Sequence, residues 1–145
     1  MSNVKHWISV GGILRGSPLA DPYLSGYKYW FAKFLLFIKR KPSQFLHEIS
    51  FNYRKETFKA LQFPKHIQRI HYVGIPLSES IGEKIKKRHQ SLIKDYGPND
   101  GLTPIAEELT EGGIVIAELG LDHYFQDPQI DQKTLALALM AIGKN

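Results

Sequence analysis

A chain of 145 residues, 43% apolar and 23% charged, has the size and composition of one domain with a core of its own. It has no cysteine, which excludes disulfides and thiolate metal sites. The net charge of +5 is unevenly spread: residues 1–72 carry twelve Lys/Arg against three Asp/Glu, and residues 73–145 carry seven against eleven. Such a split fits either a phosphate- or lipid-facing surface on the first half or two differently charged faces of one body.

In chain order, "KHWISV" (5–10) is β-branched and aromatic and stops at Gly11-Gly12, which predicts a buried strand and a turn. "ILRGSPLADPYLSG" reads as loop from its Gly, Pro, Ser and Asp. "YKYWFAKFLLFIKRK" (27–41) is apolar from Tyr29 to Ile38, is broken by Lys33 and is flanked by Lys28 and Lys39-Arg40-Lys41. That stretch is too short and too charged to span a bilayer; it suits a membrane-surface helix, a lid over an apolar pocket, or a core helix. A second amphipathic helical region runs between Pro42 and Pro64. "RIHYVGIPL" (69–77) predicts a second strand. "ESIGEKIKKRHQSLIKDY" (79–96) predicts a helix with Ile81, Ile85, Leu92 and Ile93 at helical spacing. "GIVIAEL" (113–119) predicts a third strand, of the kind covered on both faces. "DQKTLALALMAIG" (131–143) predicts an apolar helix capped by Asp131 and Gly143. The alternation implies an α/β domain with a parallel sheet.

Two turns carry candidate chemistry. Asp100 lies in "GPNDGL" and His123 in "GLDHYF". Taken singly, the first is a turn residue bonding its own backbone and the second a surface histidine. Taken together, they sit in loops that leave the same edge of a sheet if strands 69–77 and 113–119 are parallel neighbours. A carboxylate there can accept the Nδ1–H of the imidazole and leave Nε2 as a general base. Asp122 is adjacent to His123, so their side chains diverge, and it reads as a loop residue; Asp95 and Asp127 are weaker candidates.

"SVGGILRGSPLAD", "YGPNDGLTP" and "AELGLDHYF" together resemble the C-terminal half of an α/β-hydrolase of the lipase and esterase branch, over nearly all of this chain and about half of that fold. The resemblance implies a partial α/β-hydrolase fold spanning 1–145, with about three parallel strands, flanking helices and a helical lid-like insertion at 22–65. It implies Asp100 and His123 as acid and base of a Ser-Asp-His triad, no cofactor, and an ester or lipid as substrate. Trp30, Phe31, Phe34 and Leu35 of the lid become the candidate substrate contacts. None of the nine serines sits in G-x-S-x-G. Ser17, in "RGSPL", is followed by Pro18, which has no N–H to offer an oxyanion. The expectation is therefore a fragment, split gene product or truncated frame, inactive alone. The first strand would have an open edge that recruits an N-terminal hydrolase half or a second copy.

The alternative is a non-catalytic module that keeps the sheet and uses the basic aromatic helix for a partner or a membrane surface. The six histidines show no compact ligand spacing such as H-E-x-x-H. "GGILRGS" lacks the G-K-[ST] of a phosphate loop. Nucleic acid is set aside because the basic residues flank helices instead of lining a groove. The start, "MSNVKHW", is not a signal peptide, and no transmembrane stretch is found, so the compartment stays open.

Overall fold

The computed structural model describes residues 3–59, 62–77, 79 and 81–143. Ala60, Leu61 and Ser80, which fall in two of the expected helical regions, lie outside the described residues.

Three strands, β1 (His6–Val10), β2 (Gln68–Ile75) and β3 (Ile114–Leu119), form one sheet in that order with both pairings parallel. Ile8 stands opposite Ile70, and Tyr72 opposite Ile116, so the β-branched and aromatic runs meet in register. Parallel neighbours need a crossover, and each connection here is long and helical. The β1–β2 connection carries a 3₁₀ turn at Asp21–Leu24 and helices α1 (Gly26–Ile38), α2 (Gln44–Glu48) and α3 (Phe51–Lys59). The β2–β3 connection carries α4 (Glu83–Tyr96) and a 3₁₀ turn at Ile105–Glu108, and α5 (Ile130–Ile142) closes the chain. Most of the expected 22–65 stretch is thus helical.

The core lies around β2. Ile70, His71, Tyr72 and Val73 are buried, together with Ile85 and Leu92 of α4 and Leu137 and Ala141 of α5. Ile85 and Leu92, seven residues apart, share one face of α4. That helix starts at Glu83, later than expected, because Gly82 before it is extended (φ −59°, ψ 135°). Its Ile93 is exposed. Asp131 does not cap α5. It lies in the first turn, where a carboxylate still meets the positive helix end. The residue at the cap is Gln129, whose N–H is taken by Asp127 Oδ1 at 2.8 Å. Gly143 does stand at the C-cap as expected, its N–H donating to the Leu139 carbonyl at 2.9 Å, with φ −73° instead of a left-handed value.

One expectation of burial fails, and one of the three readings left open for α1 is set aside. β3 is not covered on both faces: it is an edge strand, and Ile114, Val115 and Leu119 are exposed. Nor is α1 a core helix. Ala32 is its buried residue, while Tyr27 is 80% and Phe37 79% exposed. Lys33 lies over the Tyr29 and Trp30 rings at 5.2 and 5.3 Å. No described helix is long and apolar enough to cross a membrane.

Candidate functional site

The acid turn follows α4. Asn99 braces it: the side-chain amide donates to the Gly97 and His89 carbonyls at 3.1 and 3.3 Å and accepts the Gly101 N–H at 2.9 Å. Gly101 has φ +99°, and a Cβ there would stand 2.6 Å from Ile85 Cδ1, so the turn requires glycine. Asp100 is 0% exposed. Its Oδ1 accepts the N–H groups of Leu102 (2.9 Å) and Thr103 (2.6 Å). The Asx-type bonding expected of such a turn is therefore present, but it uses one carboxylate oxygen and leaves the other free to face elsewhere.

The base turn follows β3. Gly120 N–H donates to Ile75 C=O at 2.8 Å, which lays the turn across the end of β2. The approach is close: a Cβ on Gly74 would stand 2.8 Å from the Leu121 carbonyl oxygen. Asp122 Oδ1 accepts the Tyr124 N–H at 2.9 Å, the loop role expected for it. Beyond the turn, Lys133 of α5 donates to Asp127 (2.5 Å) and to Glu118 of β3 (2.6 Å), and Tyr72 OH donates to Glu118 at 3.0 Å. These contacts hold the Asp127 and Glu118 carboxyls below their ordinary range, chiefly through the Lys133 hydrogen bond, and push the Lys133 ammonium up through the same contacts. They tie both ends of the His123 loop to β2 and α5.

The two turns meet. His123 N–H donates to the Asp100 backbone carbonyl at 2.9 Å, and His123 Nδ1 lies 2.5 Å from Asp100 Oδ2. Because the acceptor is a carboxylate oxygen, the ring proton belongs on Nδ1 and the lone pair on Nε2. The His123 side chain keeps 17% of its surface exposed, and its Nε2 makes no hydrogen bond among the described residues. The base turn leaves the carboxyl end of β3, the edge where open α/β sheets place their ligands. The acid turn does not leave a strand as expected but reaches the same place from the end of α4, through the His123 N–H bond to the Asp100 carbonyl.

One residue of this cluster went unseen in the sequence. Glu108 ends the second 3₁₀ turn and is 1% exposed, and neither carboxyl oxygen faces a hydrogen-bond donor among the described residues. Burial pushes its pKa up to about 9, and the charge of Asp100 beside it and a hydrogen bond between the two carboxyls add to the rise. A neutral Glu108 reconciles these observations: it needs no donor facing it and can itself donate to Asp100. Glu107-Glu108 looks like an ordinary exposed acid pair in sequence, but Glu107 is half-buried and pairs with Arg15 at 3.8 Å, and Glu108 is buried. Behind them lies His71, fully buried, whose Nε2 accepts the Thr110 N–H at 3.2 Å. Burial lowers its pKa, the charge of Arg69 lowers it further, and the Glu108 backbone carbonyl partly offsets them.

The four residues expected to contact substrate separate. Leu35 lines a cavity of about 780 Å³ between α1, α2, α4 and the loop after β1, whereas Trp30, Phe31 and Phe34 are outside that lining and largely exposed. The cavity walls are mainly apolar, with Lys28, Lys39, Arg88 and Asp95 among them. It touches the acid turn through Leu102 but includes neither Asp100 nor His123. Ser17 lines it too. Ser17 is buried, and its hydroxyl donates to the Leu102 carbonyl at 2.5 Å. Among the described residues no group of three or more His, Asp or Glu could hold a metal ion.

No protein-family profile matches the chain, and no curated protein does. Solved structures do. The metagenomic carboxyl esterase MGS0156 aligns with a TM-score of 0.72 at 18% identity, over 97% of this chain and 48% of its own. The mature form of the Bacillus licheniformis lipase BlEst2 aligns with a TM-score of 0.67 at 16% identity, over 95% of this chain and 56% of its own. The chain spans about half the length of each. At these identities the likeness is one of fold.

Proposed function

Since the chain carries a partial α/β-hydrolase fold, matching about half of an esterase and half of a lipase, we propose that it supplies the acid and base of a Ser-Asp-His triad that hydrolyses a carboxylic ester or lipid. The observation that carries this reading is the pairing of His123 Nδ1 with the buried Asp100 Oδ2, beside a free Nε2. In the reaction, Nε2 takes the proton of a serine hydroxyl as its oxygen attacks the ester carbonyl. It then returns that proton to the departing alcohol, while Asp100 fixes the tautomer and steadies the imidazolium.

The serine comes from chain outside these 145 residues. No serine here lies in G-x-S-x-G, and Ser17 is committed to the Leu102 carbonyl and precedes Pro18. Without the nucleophile the pair has no acyl-transfer activity of its own. The test is reconstitution with a polypeptide that carries the preceding strands and a G-x-S-x-G turn, followed by turnover of a p-nitrophenyl ester. The expected result is activity that His123→Ala abolishes and Asp100→Asn lowers by about 10⁴-fold through the wrong tautomer. Unchanged turnover in both variants would end the triad reading.

The apolar surface of α1 favours a second reading, a non-catalytic module that meets a partner or a membrane surface. Tyr27, Trp30, Phe31, Phe34 and Phe37 are exposed beside Lys28 and Lys39. In this reading the chain binds vesicles containing anionic lipid, and Phe37→Glu weakens that binding several-fold. Equal binding by both proteins would remove α1 from consideration.

A further inference from the structure

Asp100 has room for one more hydrogen bond. An ionised carboxylate offers about four lone-pair positions. Three are taken: Leu102 N–H and Thr103 N–H on Oδ1, and His123 Nδ1 on Oδ2. With Asp100 0% exposed, water does not reach the fourth from outside. The side chain beside it is Glu108, itself 1% exposed, with both oxygens lacking any donor among the described residues. A buried carboxyl group without a donor is costly as an anion. Two anions side by side in the same dry turn would repel each other as well.

The groups around Glu108 do not relieve that cost. From β2 comes His71, which stays neutral through burial and meets the Glu108 backbone instead of its side chain. Arg15, from the loop after β1, pairs with the Glu107 side chain, and its own backbone N–H donates to the Glu107 carbonyl. From the base turn comes His123, already occupied by Asp100.

We propose that Glu108 is a positioning residue of the site: it carries a proton, donates it as a hydrogen bond to Asp100, and so fills the last acceptor position of the carboxylate that steers His123. The inference rests on the acid–base reading of Asp100 and His123. The hydrogen bond spreads part of the Asp100 charge towards Glu108, so Asp100 holds the imidazolium less tightly than it would with that position empty. Glu108 thereby sets how basic His123 is, without touching the substrate.

The test is NMR titration of the whole chain, which needs no catalytic partner. The carboxyl carbon of Glu108 and the imidazole of His123 are followed against pH in the wild type, Glu108→Gln, Glu108→Leu and Asp100→Asn. Glu108 is expected to be neutral at pH 7 in the wild type. Glu108→Gln, whose amide still donates, leaves the His123 midpoint within about 0.3 units, while Glu108→Leu raises it by about a unit through the lost hydrogen bond. An ionised Glu108 at pH 7 would overturn the proposal, and that measurement needs only the wild type should a variant fail to fold. So would equal His123 midpoints in Glu108→Leu and wild type when Asp100→Asn lowers the midpoint. If Asp100→Asn leaves His123 unmoved, the acid–base pair itself fails.

Discussion

Asp100, Glu108 and His71 sit within a few residues of one another in space, and each answers burial differently. Asp100 is surrounded by N–H donors. Glu108 has none among the described residues and is pushed up to about 9 by burial. His71 is lowered by burial and stays neutral by accepting the Thr110 N–H. These shifts set a pH dependence of stability. Glu108 has a folded pKa above its ordinary 4.5, so the folded state binds the extra proton between the two values. Its contribution is complete below about 4.5 and is lost as pH rises through about 9, at roughly 1.4 kcal/mol per pH unit at most. His71 has the opposite sign. Its folded pKa lies below 6.5, so its contribution is present above that value and is lost as pH falls. Glu108→Gln should therefore melt higher than the wild type at pH 8, with the gap closing towards pH 5. A gap that is the same at both values would show that Glu108 ionises normally.

At the scale of the elements, the site depends on the base turn leaving β3, crossing the end of β2 and meeting the acid turn that follows α4. Gly120 N–H to Ile75 C=O sets where the base turn begins, and Gly74 leaves space for the Leu121 carbonyl to pass. On the other side, Ser17 couples the loop after β1 to the acid turn through its bond to Leu102. Ser17→Ala removes that bond and leaves the Leu102 carbonyl without this donor. The expected loss is about 1 kcal/mol of unfolding free energy by urea titration, with faster amide exchange at Leu102 and Thr103. Exchange unchanged at both positions would mean that the acid turn holds itself without Ser17. Serine next to proline reads in sequence as loop punctuation, and its partner 85 residues away is not legible there.

For the whole molecule, the surface is too large. A compact monomer of 16.6 kDa exposes about 7,600 Å², whereas this chain exposes 9936 Å². Much of what shows is apolar. The α1 aromatics, Val115 and Leu119 of β3, and Leu135, Leu139 and Met140 of α5 all stand out into solvent. The outer edge of β1 has no neighbouring strand among the described residues. Apolar surface and an open edge on this scale favour association. The chain alone should elute from a sizing column as a dimer or larger species, and a polypeptide carrying the other half of the fold should convert it to a one-to-one complex. A stable monomer that ignores the added half would count against a split hydrolase.

The order of strands and helices could be read from the sequence, because hydrophobic periodicity and Gly/Pro punctuation are local. Asp100 and His123 could be picked out as a pair for the same reason: each sits in a short turn next to a recognisable strand or helix. Burial could not be read locally. "GIVIAEL" has the apolar run of a central strand but lies at an edge, and "YWFAKFLLFI" has the apolarity of a core helix but lies largely in the open. Only tertiary packing decides which apolar face meets another. It alone placed Glu108 in the dry space behind Asp100, since the cost of burying a carboxyl depends on what surrounds it and not on its neighbours in the chain.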